Sequence, residues 1–244
     1  METRIDEIAP DIFRLSTVIE EVAPGGFSFN QFVVRADEPF LYHTGMRALF
    51  PLVSEAVAKI LPVDSLRWIS FDHVEADENG AMNEFLAVAP NAEIVHGGLA
   101  CMLTLNDQAA RPPRPVEDGE VLEIGGKRMR FLATPHVPHN WESGVWYEET
   151  GNTLFAGDIL THTGGDRPAI TTDDLVPAAM EAEQLFHATS GGPNLVPTLH
   201  RLADLEPQTL AIMHGSSFQG DGGAALRTAA DCYEAFMASD TARA

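Results

Sequence analysis

A chain of 244 residues with 45% apolar side chains is long enough to bury the core of one large α/β domain. Its 36 acidic against 15 basic residues leave a net charge of −21, which repels polyanions over most of the surface and excludes nucleic acid as a partner. No stretch reaches the ~18 uninterrupted apolar residues of a membrane span. The acidic opening METRIDEIAPDIF has no apolar signal-peptide core, so the expectation is a single soluble, cytoplasmic domain over residues 1–244. Cys101 and Cys232 stand far apart without CxxC spacing, which fits buried apolar fillers better than a disulfide framework or a sulfur-ligated metal.

Along the chain, FSFNQFVV and PFLYHT read as a strand pair turned at ADEP. Leu49, Leu52, Val53, Ala56, Val57 and Ile60 form a helical stripe that Pro62 stops. LRWISF is then a strand, MNEFLAVA a short helix and AEIVHG a further strand. The proline-rich RPPRPVEDG reads as a surface loop feeding a hairpin of EVLEI and RMRFLA, turned by Gly125 and Gly126. GVWYEE and TLFAG pair across TGN. Beyond Leu175 helices dominate (VPAAMEAEQLFHAT, LHRLADL, AALRTAADCYEAFMAS), with one strand, TLAIM, between them.

Four of these apolar strands run straight into ionisable side chains. RWISF leads to Asp72 and His73, RFLA to the loop of His136 and His139, TLFAG to Asp158, and TLAIM to His214. Sheets fix the ends of their strands, and loops leaving a sheet edge are where α/β proteins assemble sites. Within FDHVEADENG, His73, Glu75 and Asp77 follow one another at i, i+2 and i+4 and could close around a cation that offsets the crowded carboxylates. Taken alone, the same ten residues suit a solvated acidic loop equally well, with Asp77 and Glu78 complementing the dipole of a helix that begins near Ala81.

The series HVEADE, HNWES, FAGD and MHG resembles the ligand motifs of the metallo-β-lactamase superfamily, in the same order, from roughly Phe27 to His214. More narrowly it resembles the oxygen-reducing branch, the flavodiiron proteins and stand-alone oxygen-binding di-iron proteins, because Glu75 stands where most hydrolytic members carry a second His. The resemblance implies a four-layer αββα sandwich with a binuclear non-haem iron site at one edge. His73, Glu75 and His139 would hold one iron, Asp77 and His214 the other, and Asp158 would bridge. Glu for His hardens the site in favour of iron or manganese over zinc. Glu78 replaces the His that usually follows the motif aspartate, as an oxygen ligand to the second metal, as a group that leaves that place to water, or as an outward-pointing substitute. His139 matches the family position, with His136 as its neighbour or substitute.

The function so implied is binding and reduction of dioxygen or nitric oxide. Electrons would come from an external donor protein, since the sequence ends soon after its last ligand without a flavin-binding domain. A homodimer is expected by resemblance only. His43 and His162 are candidate proton donors at the site mouth, and Trp141, Trp146 and Phe218 are candidates to shield it, although Trp146 suits plain core packing better. His96, His187 and His200 read as surface or satisfied core residues, and GSSFQGDGG lacks the context of a phosphate cradle. Two alternatives stand beside this reading: a metal-dependent hydrolase of an ester, lactone or thioester, and a non-enzymatic oxygen or redox sensor.

Overall fold

The computed structural model describes residues 1–241. Strands β1 (Thr3–Ala9), β2 (Ile12–Ile19), β3 (Phe27–Val34), β4 (Phe40–Tyr42), β5 (Trp68–Ser70), β6 (Glu93–Gly97) and β7 (Arg114–Val116) form one seven-stranded sheet in chain order. Neighbours from β1 to β4 are antiparallel and those from β4 to β7 parallel. The second sheet takes β8 (Val121–Glu123), β9 (Arg128–Ala133), β10 (Gly144–Glu148), β11 (Thr153–Gly157), β12 (Ile170–Thr171), β13 (Thr209–Ile212) and β14 (Ser217–Gln219) in the order β12-β14-β13-β11-β10-β9-β8. Helices α1 (Phe50–Ala58), α2 (Ala76–Asn79), α3 (Met82–Val88), α4 (Gly98–Ala100) and α5 (Asn106–Gln108) belong to the first half, with a π-helical turn, Cys101–Leu105, joining the last two. Helices α6 (Val176–Phe186), α7 (Leu195–Ala203) and α8 (Gly222–Thr241) belong to the second.

Alternation along the strands builds the layers. Phe32 and Val34 of β3, Phe40 and Tyr42 of β4, Trp68 of β5, Phe155 of β11 and Ala211 of β13 face inward between the sheets. Their neighbours in sequence point the other way. Val33, Leu41 and Ile69 pack under α1 and α3, whereas Leu154, Leu210 and Ile212 pack under α6, α7 and α8. Strands buried on both faces must be apolar almost throughout, which is why TLFAG and TLAIM read as continuous runs. The result is the αββα sandwich expected from the sequence. Trp146 lies wholly in the inter-sheet core, edge-on to Phe40 and Phe131, its indole N–H donating to the Ser70 hydroxyl at 2.8 Å.

Local departures from the sequence reading have local causes. The acidic opening, which the sequence reading assigns to no element, forms β1 and the start of β2; the two strands pair over most of their length, with Arg4 and Glu7 of β1 exposed. Within RPPRPVEDG, three residues form β7 beside β6. Pro115 is tolerated there because β7 is an edge strand and its missing N–H breaks no central ladder. GSSFQGDGG likewise contains β14, and residues 98–108 are helical although no helix was expected there. Helix α6 stops at Phe186 because His187 turns into the left-handed region, φ 49°.

Phe155 stands between the sheets, in edge contact with Phe32 and Tyr42. Replacing it with Ala should destabilise the chain by about 3–5 kcal/mol, because the two sheets cannot collapse onto the cavity. Urea denaturation should show a lower midpoint with an unchanged slope.

Candidate metal centre

The four ionisable strand ends converge. His73 and Glu75 lie in the loop after β5, Asp77 in the first turn of α2, His139 in the loop from β9 to β10, Asp158 directly after β11 and His214 directly after β13. His73 Nε2 lies 2.7 Å from Glu75 Oε2, and His139 Nε2 lies 2.8 Å from His73 Nε2 and 3.2 Å from the same Glu75 oxygen. On the other side, His214 Nε2 is 3.2 Å from Asp158 Oδ1 and 3.4 Å from Asp77 Oδ2. Asp158 joins the halves, since its Oδ2 faces His139 at 3.8 Å.

Backbone features hold each group. Gly157 has φ 53°, and a Cβ there would come within 2.0 Å of Asp72 Oδ2, so only glycine lets β11 deliver Asp158 at this point. Gly215, φ 106°, likewise leaves no room for a Cβ beside the His162 ring, which would be 2.2 Å away. His214 Nδ1–H donates to the Ser28 carbonyl at 2.7 Å, which fixes the tautomer and turns Nε2 toward the carboxylates. The Gly215 carbonyl accepts from buried Arg14 and Asn30, at 2.9 and 3.0 Å. In the other loop, the Ser143 hydroxyl donates to the carbonyls of His139 and Asn140.

Charge is unevenly shared. Hydrogen bonds from His139 and His73 hold the Glu75 carboxyl down at about 2. Burial would raise Asp158, but the adjacent His214, with His73 and His139, carries it well below the usual carboxylate range. Burial opposes charge on His214, yet Asp158 and Asp77 push that imidazole up to about 10. His73 is raised against its burial by Glu78 and Asp72.

Glu78 is fully buried and faces away from the cluster. Its Oε2 accepts the backbone N–H groups of Asp72 and His73 at 2.8 and 2.7 Å, and its Oε1 lies 3.4 Å from His73 Nδ1, on the far side of the ring from Glu75. It does not point outward: it is a buried carboxylate behind His73, and with Asp72 and His73 it makes a second group whose possible ligand atoms lie within 4.8 Å of one another. Burial pushes it up to about 8 while His73 pulls it down.

The structure separates the remaining histidines from the cavity. His136 is exposed on the His139 loop, and its backbone, with φ 66°, takes part in the turn. His43 is fully buried behind Glu78, 3.5 Å from it, where burial lowers it to about 3. His162 is saturated: Nδ1–H donates to the Leu160 carbonyl and Nε2 accepts the Ser216 N–H, both at 2.8 Å, and burial lowers it to about 4. Neither reaches the mouth of the site. His96 is the satisfied core residue expected, bonded to the Asp72 carbonyl and the Gly97 N–H.

The shield also differs from expectation. Trp141 is exposed beside Leu99, Trp146 is inter-sheet core and Phe218 packs under the second helical layer. The walls of the cavity are Phe27, Phe186, Pro138, Ala179, Ala182 and Ala188, with Glu183, Thr189 and Tyr233 at its polar end. Phe27 stacks on the His214 ring at 4.2 Å, and Phe29 meets that ring edge-on. Sequence reading missed these residues because β3 and α6 are remote from every ligand motif; only position on the strand pairing with the Gly215 loop signals them.

The donor set suits a divalent metal. Among the described residues, His73, Glu75, His139 and Asp158 each offer a ligand atom, all within 4.8 Å of one another. Two imidazole Nε2 atoms directed at one carboxylate oxygen is the arrangement that a shared cation stabilises, and Asp158 Oδ1 is buried without a hydrogen-bond donor.

Two seven-stranded sheets between helical layers, with a His/Glu/Asp cluster at the strand ends, define a metallo-β-lactamase-type domain. The family model described as "ODP family beta lactamase" matches residues 27–215, and the chain belongs to that family. A diflavin flavoprotein A 1 of Nostoc sp. PCC 7120 is 26% identical over 201 residues, covering 80% of this chain and 34% of that protein. The anaerobic nitric oxide reductase flavorubredoxin of Pectobacterium carotovorum is 26% identical over 139 residues, covering 55% of this chain and 27% of its own length. The chain thus spans about a third of the length of the curated relatives it matches. Among solved structures, the rubredoxin oxygen:oxidoreductase of Desulfovibrio gigas superposes with a TM-score of 0.83 at 17% identity, over 95% of this chain and 62% of that one. No helix among the described residues is long and apolar enough to cross a membrane.

Two outcomes are expected of this site. Glu78→Ala strands two buried N–H groups and frees the back of His73, so it should cost about 2–4 kcal/mol of stability and about 10–100-fold in metal affinity, read by denaturation and by chelator competition. The pH dependence follows from His214. Its folded value lies above the ordinary 6.5, so in chelator-stripped protein the charged imidazole stabilises the fold below pH 6.5, and this contribution fades as pH rises toward 10. A metal must displace that proton. Calorimetric titration of iron(II) in buffers of different ionisation enthalpy should therefore show proton release at neutral pH, with affinity increasing as pH rises.

Proposed function

We propose that the cluster holds a binuclear iron centre that binds and reduces dioxygen or nitric oxide, with electrons from an external donor protein. The observation that carries this reading is the division of the cluster about Asp158, one carboxylate oxygen facing the His73–Glu75–His139 group and the other facing His214 and Asp77. His73, Glu75 and His139 would hold one iron, His214 and Asp77 the other, and Asp158 both. Bound iron would pass the donor's electrons on and supply Lewis acidity.

The chain's own residues orient and enclose the centre. Ser28 and Glu78 set the two imidazoles from behind, and Phe27 and Phe186 present an apolar wall that limits access of water. Glu75 adds a hard oxygen donor, which favours iron or manganese over zinc. Relatives named as an anaerobic nitric oxide reductase and a rubredoxin oxygen:oxidoreductase support the reaction class. The cavity, about 230 Å³, exceeds what a diatomic gas needs and supports a second reading, hydrolysis of a small ester, lactone or thioester.

Elemental analysis of protein purified without added metal should find a pair of irons per chain, and a dye reductant should then drive consumption of oxygen or nitric oxide. Zinc with esterase activity would overturn the proposal, and iron with tight gas binding but no turnover would make the protein a sensor. Asp158→Asn should abolish turnover and lower the metal content. Glu75→His should raise the ratio of zinc to iron.

A further inference from the structure

Reduction of a diatomic gas consumes one proton for each electron delivered, and both histidines that sequence placed at the mouth are sealed away from it. Neither faces the metal-facing cavity, so a proton donor has to be sought among the groups that line it. Glu183, Thr189 and Tyr233 line the metal-facing cavity, and the same three residues line a second cavity beyond it, bounded by His187, Ser190, Gly191 and Phe236. His187 and Gly191 on that outer side are solvent-accessible. The three side chains therefore stand between the two cavities.

This boundary is polar. Glu183 is buried, its exposure only 7%, and it is the only carboxylate among the lining residues of the metal-facing cavity outside the metal cluster itself. Thr189 Oγ1–H donates to Glu183 Oε2 at 2.6 Å, and the Thr189 N–H approaches the same carboxylate at 3.2 Å. Tyr233, also buried, lines both cavities beside this pair. The remaining wall from α6 is Ala179, Ala182 and Phe186, none of which can carry a proton. A buried carboxylate bonded to one hydroxyl, with a second hydroxyl lining the same two cavities, has the parts a proton relay requires.

We propose that Glu183, with Thr189 and Tyr233, delivers protons from the outer cavity to the substrate being reduced; this rests on the reductase reading above. In each cycle Glu183 takes a proton from water in the outer cavity, directly or through the Thr189 hydroxyl. It releases that proton on the metal-facing side to an oxygen atom of the substrate, which has received an electron originating in the external donor. The O–H bond to Glu183 breaks as the O–H bond to product forms, and the carboxylate is left ready for the next proton.

The test uses the full-length, iron-loaded protein with a dye reductant. Glu183→Gln keeps the shape and the acceptor for Thr189 but cannot carry a proton, and Thr189→Val removes the hydroxyl without touching the carboxylate. Glu183→Gln should lower kcat about 10²-fold with KM for the gas and iron content unchanged. Formate or acetate, small enough for the cavity, should restore a large part of the rate, and Thr189→Val should give a smaller loss. A structural role would not respond to a small acid. Unchanged kcat in Glu183→Gln, or a loss of rate that no weak acid rescues while iron content holds, would overturn the relay. A wild-type protein that consumes neither oxygen nor nitric oxide would instead remove the reductase reading beneath it.

Discussion

A carboxylate buried between imidazoles governs this structure. Asp158 leaves the sheet interior with one oxygen toward His139 and the other toward His214, where its burial costs free energy unless positive charge meets it. The surrounding sequence serves that need. Gly157 gives β11 the backbone conformation that brings the carboxylate to the edge, and Asp72 occupies the space a side chain would have taken. His214 reaches Asp158 because β13 lies parallel to β11, so both strands end on the same side. A cation placed between these groups relieves the repulsion of the carboxylates and uses nitrogen lone pairs already aimed inward.

Behind the candidate metal cluster lies a second tier of polar groups that is as fully buried as the core. Ser28 takes the Nδ1 proton of His214, and Glu78 stands against Nδ1 of His73 while capping two backbone N–H groups at the end of β5. Arg14 and Asn30 converge on one carbonyl, that of Gly215. Such groups hold a ring to within a rotamer and set its basicity, and they raise the penalty for any error in the loops. The sandwich pays in part with buried, half-satisfied polar atoms near the centre, His43 among them. Strain of this kind collects where a protein needs pre-organisation.

Much of the design was legible because the strands are short and apolar. The runs WIS, TLFAG and TLAI had to be buried on both faces, and each gives way within three residues to an ionisable side chain of the cluster, so the cluster could be inferred from where hydrophobicity stopped. The helical stripe from Phe50 and the hairpin turned at Gly125 and Gly126 followed from period and turn chemistry. Other elements gave weaker signals. β1 alternates charged and apolar residues on an exposed sheet edge, and β7 contains a proline, so neither resembles a central strand. Residues 98–108 are helical with Met102 and Leu103 exposed, so their apolar residues do not mark one buried face.

Sequence by itself determined the four strand ends and the kinds of side chain that meet there, since these depend on hydrophobic period and on which residue follows which strand; the layer order came from the resemblance of its motifs to a known family. Only the tertiary structure decided what each remaining ionisable group does. His43, His162 and Glu78 have the chemistry of ligands or acids, and direction and enclosure set their places: His43 is sealed behind Glu78, His162 pins the Gly215 turn, and Glu78 stands behind His73. The aromatic wall came from β3 and α6, segments far in sequence from any motif. Side-chain direction and proximity between distant segments are set by how the two sheets close on each other, and no local pattern of residues encodes that closure.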